Sequence, residues 1–200
     1  GIAFRKFPRH PCQKDCLPLN IFQILEQGGR FIIRSAESTD APKLFEYMEY
    51  VDRETVFLAR EPGEFAESYT LEQEEELLRR WAEGDEKLFL IAETEAGEIA
   101  ATCGCFYSKG RRRARHIGEI AVSVRQDFWR MGLGRRMMSI QLDWCREHQI
   151  EKLKLTVDTQ NTRALGLYFS LGFQVEGKLC GEGKLADGTC QDVYAMAKFF

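Results

Sequence analysis

From Val122 to Met137 the chain reads Val-Ser-Val-Arg-Gln-Asp-Phe-Trp-Arg-Met-Gly-Leu-Gly-Arg-Arg-Met. An apolar, β-branched strand runs into a short loop, then Gly132-Leu133-Gly134, then a helix opened by two arginines. That is the chemistry of a phosphate site. Glycine lets the backbone come close to a ligand. The first N–H groups of a helix have no partner inside it, and the aligned peptide dipoles place about half a positive charge there. Arg130, Arg135 and Arg136 add full charges. The stretch is only part of a dinucleotide fingerprint, because the third glycine of G-x-G-x-x-G would fall at 137, which is Met137. It also lies late in the chain instead of opening a βαβ unit. The spacing predicts a phosphorylated cofactor; by itself it also fits a tight strand-to-helix turn with solvated arginines.

Three further residues carry reactive groups near that stretch. Glu119 interrupts the apolar run Ile117–Val124. It reads either as a partly buried base or as a rim carboxylate paired with Arg115 or His116. Tyr168 offers a phenol on a helix, or a core aromatic beside Leu165 and Leu171. Asn161 stands where it would cap that helix.

The elements that must position these groups follow from periodicity and caps. Phe31–Arg34 reads as a strand. Asp40 as N-cap, with Pro42 in the first turn, opens a helix carrying Leu44, Phe45, Met48 and Val51 at helical spacing. Thr70 and Gln73 make a capping box for a second helix, with Leu77, Leu78 and Trp81 on its apolar side and Gly84 at its end. Lys87–Thr94, Ile99–Tyr107 and His116–Val124 read as an antiparallel meander. Leu133–His148 is a helix with Leu133, Met137, Ile140 and Trp144 along one stripe. Lys152–Val157 is a strand, Thr162–Leu171 a helix closed by Gly172, and Phe173–Gly181 with Cys190–Lys198 a hairpin around Asp187-Gly188. A helical crossover makes the strands before and after Leu133–His148 parallel. The expected fold is α+β: a mostly antiparallel twisted sheet with one parallel strand pair and helices on both faces. Residues 1–29, broken by Pro8, Pro11 and Pro18 and closed by Gly28-Gly29, read as an N-terminal extension. Within it, Leu19–Leu25 is a short strand or helix. Residues 30–200 read as one domain.

Composition narrows the partners. With 200 residues, 44% apolar and 30% charged, the chain is long enough for a real core. A net charge of −3 argues against a nucleic-acid binder and suits a cationic substrate such as an amine. No apolar run approaches the ~20 residues of a membrane span, and the basic N-terminus lacks the apolar stretch of a secretory signal. Seven cysteines, an odd number mostly inside predicted elements, fit free thiols in a reducing compartment and hence a cytoplasmic location. His10, Cys12 and Cys16 lack a fourth ligand, so no metal is expected.

Asn161, Ala164, Tyr168, Gly172 and Phe173 match the pattern Asn-x-x-Ala-x-x-x-Tyr-x-x-x-Gly-Phe. Together with Gly132 and Gly134, in this order and about thirty residues apart, they make the chain from roughly residue 30 onward resemble the GNAT superfamily of acetyl-CoA-dependent N-acyltransferases. That family's first signature is Gln/Arg-x-x-Gly-x-Gly/Ala; here its opening position holds Trp129. The resemblance implies an acyl-CoA N-acyltransferase-like fold and acetyl-CoA as cofactor. It implies that the backbone of Val122, Ser123 and Val124 pairs with the pantetheine arm. It implies that the amides of Arg130, Met131, Gly132, Leu133, Gly134 and Arg135 hold the pyrophosphate. Asn161, Ala164 and Tyr168 would line the cofactor, with Tyr168 beside the thioester sulfur as general acid and Glu119 as candidate base.

The chemistry is consistent with those roles. An alkylamine, of pKa about 10, must lose a proton before attacking a thioester carbonyl. The departing thiolate, of pKa about 8.5, takes a proton from a phenol at modest cost. A backbone N–H at Val122–Val124 would serve the developing oxyanion. The expected function is direct acetyl transfer to a primary amine of a small molecule, a polyamine or a protein. The alternatives are an acyl-CoA sensor without turnover and a nucleotide-binding interaction protein. Glu72–Glu76, with Glu61, Glu64 and Glu67, would draw a cation toward the acceptor side or simply be solvated. Arg111-Arg-Arg-Ala-Arg115 reads as a solvated turn, with RNA or an acidic partner as the alternative. Exposed sheet edges would permit a homodimer.

Overall fold

A computed structural model describes residues 20–24 and 30–200. Among them are strands β1 (Asn20–Ile24), β2 (Arg30–Ser35), β3 (Lys87–Thr94), β4 (Ile99–Tyr107), β5 (Ile117–Val124), β6 (Lys152–Asp158), β7 (Gln174–Lys184) and β8 (Cys190–Phe199). They form one sheet in the order β1-β2-β3-β4-β5-β6-β8-β7, antiparallel except for the pair β5–β6. The helices are α1 (Ala41–Glu54), α2 (Glu64–Ser68), α3 (Leu71–Glu83), α4 (Leu133–Glu147) and α5 (Thr162–Ser170).

The central strands are apolar on both faces because both faces are covered. On one side Leu133, Met137, Met138, Leu142 and Cys145 of α4 and Tyr168 of α5 pack against Leu90, Cys103, Cys105, Ile120, Leu153 and Leu155. On the other, Leu44, Tyr47 and Val51 of α1 and Leu78 of α3 pack against Ile91 and Ile99. The 3.6-residue and two-residue periods in the sequence are the imprint of these two layers.

Local expectations met the tertiary structure unevenly. The Thr70–Gln73 capping box is present in both directions. Asp40 precedes α1 but does not cap it with its side chain. A 3₁₀ turn, Ser38–Asp40, comes first, and the carboxylate is taken by the Glu37 N–H at 2.8 Å and by Arg34 at 2.6 and 2.7 Å. The hairpin strand β7 runs on to Lys184, so the terminal turn is shorter than Gly181–Cys190. Residues 20–24 add the edge strand β1 beside β2. The five-residue α2 carries no periodic signal long enough to read.

Arg34, Asp40, Glu93 and Lys43 form a network that joins β2, β3 and α1. Burial works against the Asp40 carboxylate, but the Arg34 and Glu37 hydrogen bonds outweigh it and hold its pKa below the usual carboxylate range. A depressed folded pKa gives stability that is present above the unfolded value, about 3.9, and is lost as pH falls through the folded value. Asp40→Asn is therefore expected to cost about 2 kcal/mol at neutral pH. It should also flatten the fall of Tm with acidification. An acid limb as steep in the variant as in the parent would show that this pair does not set acid stability.

Candidate active site

The feature that organises the site is a gap in the sheet. β5 and β6 pair only at Ile117↔Lys152, Gly118↔Leu153 and Glu119↔Lys154. Beyond Glu119, β5 stays with β4 to Val124, and β6 stays with β8 to Asp158. The two strands therefore open into a V whose closed end lies at Glu119. The Arg125 N–H bonds the Ala100 carbonyl at 3.0 Å. Alternation in an antiparallel pair then turns the N–H and C=O of Val124 and Val122 away from β4 and into the V. The Val124 C=O is taken by the Trp129 indole N–H, and strand edges with free groups such as the Val122 N–H and C=O bind extended, amide-bearing chains.

At the open end of β5, a 3₁₀ turn (Gln126–Phe128) leads to the start of α4. Arg130 has φ 65° and Gly132 φ 81°, both left-handed, while Met131 between them is not. That alternation points successive N–H groups inward as an anion nest. A non-glycine residue at positive φ costs about 1 kcal/mol or more and persists only where its surroundings impose it. α4 begins at Leu133 with Gly132 as N-cap and no side chain capping its free amides. A Cβ at Gly132 would meet nothing within 4 Å, so the ground above these amides is open. A Cβ at Gly134 would lie 3.4 Å from Leu167 and 3.6 Å from Val124, so that glycine lets α4, α5 and β5 converge. Leu133 is buried and anchors the turn, and Met131 packs on the same cluster. Arg135 bonds the Ser170 hydroxyl at 2.7 Å, and Arg136 Nε is buried without a partner among the described residues. These features suit an extended ligand with phosphates at one end.

α5 flanks the V on the α4 side. Asn161 caps it, its Oδ1 accepting the Ala164 N–H at 3.1 Å. Tyr168 is 7% exposed and packs against Phe173, with Cys103 and Val122 in the same cluster. Burial raises its phenol well above the ordinary value, and the neighbouring Cys103 adds to the rise. The hydroxyl is thus held protonated, and it is a weaker acid than a solvated phenol. Ser123 faces the other side of the sheet, where its hydroxyl joins Tyr47 (2.8 Å) and Thr102 (2.9 Å). Burial pushes Tyr47 up to about 12, so this chain of hydroxyls is neutral and structural.

Glu119 lies at the closed end of the V, on the face away from α4. Its partner is Lys154, 2.5 Å away across the last β5–β6 pair, and not Arg115 or His116. At 43% side-chain exposure it is open to solvent. Strand register decides this pairing, and register is not visible in local sequence. Tyr168 and Glu119 thus flank the V from opposite faces of the sheet. The acidic helix α3 lies on the face of the sheet opposite α4. It packs against α1 and β3, and Glu76 and Glu83 pair with Arg79 on the same helix. Cys103, Cys105 and Cys145 are buried in the core, and Cys180 and Cys190 are exposed on the hairpin. His10, Cys12 and Cys16 lie outside the described residues.

Several contacts at the site have no counterpart in the local sequence pattern. Trp129 donates its indole N–H to the Val124 carbonyl at 2.7 Å, and the Arg163 guanidinium lies 3.6 Å over its ring. An aromatic in the position of the family's Gln/Arg was its one signal. Glu54 accepts the Gln126 N–H at 2.9 Å on the β5 lip. Two residues on, the Val56 carbonyl accepts from Gln191 Nε2 at 2.9 Å, which also reaches Asp158 on the β6 lip at 3.0 Å. The end of α1 therefore straps the mouth of the V. These contacts join residues 33 to 135 positions apart, beyond any local pattern.

Residues 37–173 match the model of the acetyltransferase (GNAT) family. The chain is 28% identical over 159 residues to alpha/beta-tubulin-N-acetyltransferase 9 of Drosophila melanogaster, covering 73% of this chain and 76% of that protein. It is 31% identical to an acetyltransferase of the GNAT family from Streptococcus pneumoniae, with a TM-score of 0.78 over 85% of this chain and 99% of that one. The yncA protein of Salmonella typhimurium, solved with its cofactor acetyl-CoA, shares the fold at 20% identity and a TM-score of 0.71, over 84% and 93% of the two chains.

Proposed function

Because this chain belongs to the acetyltransferase (GNAT) family and is an acyltransferase, we propose that it moves an acetyl group from acetyl-CoA to a primary amine by direct attack within a ternary complex. The observation that carries this is the V between β5 and β6, with an uncapped, arginine-rich helix start at its mouth and Tyr168 and Glu119 on opposite faces. Acetyl-CoA is the co-substrate and supplies an activated acetyl thioester.

The chain's own groups have separable tasks. The Val122 and Val124 backbone holds the pantetheine arm along the β5 lip. The nest at Arg130–Gly132 and the free amides of Leu133, Gly134 and Arg135 hold the pyrophosphate. The Val122 N–H donates to the carbonyl oxygen as charge builds on it. Asn161 and Ala164 fix the start of α5, which brings Tyr168 to the sulfur. Tyr168 donates a hydrogen bond to that sulfur and yields its proton only as the thiolate forms. Its raised pKa favours this late transfer over early ionisation. Glu119, reached from the opposite face, accepts the amine's proton and exchanges Lys154 for the incoming cation. No covalent enzyme intermediate is needed, in keeping with the buried core thiols.

The test is product formation by mass spectrometry, with acetyl-CoA and a panel of polyamines, amino acids, aminoglycosides and peptides. An acetylated product of one class supports transfer and identifies the acceptor. Binding of acetyl-CoA without any product would favour a sensor, and absence of both would refute the cofactor assignment. On the active acceptor, Glu119→Gln is expected to lower kcat/KM about a hundredfold with the acetyl-CoA KM unchanged. An unaltered rate would assign the base to water.

A further inference from the structure

The arginines sort into those with carboxylate partners and those without. Of the sixteen among the described residues, eight have a carboxylate oxygen within 4 Å. Arg130, Arg135, Arg136 and Arg163 have none among the described residues, and all four stand around the loop and helices assigned above to the phosphates. The remaining four are Arg111, Arg112, Arg113 and Arg115, all exposed on the turn between β4 and β5. An arginine without a carboxylate among the described residues, in a chain of net charge −3, is suited to receive an anion, and the first group has the proposed pyrophosphate to receive. The second group has none yet.

The turn is a built platform. Arg111 N–H bonds Ser108 C=O, Ala114 N–H bonds Arg111 C=O at 2.8 Å, and Ile117 N–H bonds Ala114 C=O at 3.0 Å. It ends just before β5, and Arg115 stands four residues from Glu119, about 13 Å at most along the chain. On the face where Glu119 lies, its β4 neighbour Phe106 is 43% exposed and Lys154 stands on the other side. An amine approaching Glu119 therefore comes in beside Phe106 and under the field of five cations. A polyamine or a lysine-rich tail would be repelled there. An amine followed by carboxylates would be drawn in, because guanidinium groups grip carboxylates bidentately.

Resting on the acetyl-transfer reading, we infer that the acceptor is an amino group carried on an acidic peptide or protein segment, which docks its carboxylates on Arg111, Arg112, Arg113 and Arg115. The patch would then select the acceptor that the V itself does not distinguish.

The experiment uses two synthetic peptides with the same N-terminal residues and a single free amine, one continuing in Asp and Glu, the other in Lys and Arg, with spermidine as a third acceptor. The acidic peptide is expected to show at least about tenfold higher kcat/KM at low salt, with the gap closing as salt screens the exposed charges. The triple variant Arg111→Glu, Arg112→Glu, Arg113→Glu should reverse the order while leaving Tm and the acetyl-CoA KM unchanged. Equal turnover of both peptides, a preference for spermidine, or an unaltered order in the triple variant overturns the inference. So does a labelled RNA that loses binding in the variant while both peptides behave alike. Anisotropy with the labelled acidic peptide separates the two readings. Binding that the triple variant abolishes, with no amine acetylated, supports docking and refutes transfer; transfer without charge preference does the reverse.

Discussion

Replacing Tyr168 by phenylalanine is expected to lower kcat about a hundredfold and to leave the acetyl-CoA KM within about a factor of two. The ring is buried, and no hydrogen bond ties its hydroxyl to the rest of the described chain, so removing the hydroxyl strands no partner. The ring that packs on Phe173 is kept, and Tm should hold within about 2 °C. The pH dependence gives a second check. Burial raises the phenol above its ordinary value of about 10, so Tyr168 stays protonated through neutral and mildly alkaline pH. Any alkaline limb in kcat therefore belongs to another group and should survive the substitution. A limb near pH 10 that vanished in the phenylalanine variant would mean a solvated, titrating hydroxyl. An unchanged kcat would take the proton-donor role from Tyr168 altogether.

Gly132→Asp should weaken acetyl-CoA binding about a hundredfold with no loss of fold. Asp and Asn tolerate the left-handed backbone best after glycine, and a side chain here meets nothing within 4 Å. An acidic group at a helix N-terminus is, if anything, favourable to the helix. The same carboxylate would stand where the pyrophosphate must sit, and two anions cannot share one nest. Gly132→Asn separates the effects, having the same shape and backbone preference but no charge. Calorimetric titration with CoA is expected to show a loss of several-fold for Asn and far more for Asp, with Tm similar in both. Equal losses would mean that bulk at Gly132, and not charge, controls binding. No loss in either would move the pyrophosphate site elsewhere.

Much of this site was legible locally. Gly132, Leu133 and Gly134 announced a free helix start, and the structure adds the left-handed Arg130 that turns the preceding amides inward. Asn161 was legible as a cap and is one. Tyr168 was readable as a core aromatic or an acid, and it is buried as a core residue is, with its hydroxyl unengaged. The carboxylates were harder. Asp40 stands at the N-cap of α1 as expected, but its carboxylate bonds Arg34 and the Glu37 N–H, not the amides of α1. Glu119 read either as a partly buried base or as a rim carboxylate of Arg115 or His116, and its partner is Lys154. The choice of partner in an ion pair depends on which strands lie side by side, and neighbouring residues in sequence carry no record of that.

The sequence by itself determined the order and type of nearly every element, the caps at Thr70 and Asn161, the glycines of the turn before α4 and the two motifs around Gly132 and Asn161. All of these rest on interactions within about four residues, where backbone geometry and side-chain type decide the outcome. Only the tertiary structure decided that β5 parts from β6 after Glu119, that Tyr168 and Glu119 stand on opposite faces of that opening, and that Glu54, Val56, Gln191 and Asp158 strap its mouth. It also separated the arginines without a carboxylate among the described residues into one group around the Arg130–Gly134 loop and another on the turn before Glu119. Those are consequences of sheet order and register, which arise from the packing of distant segments into one core.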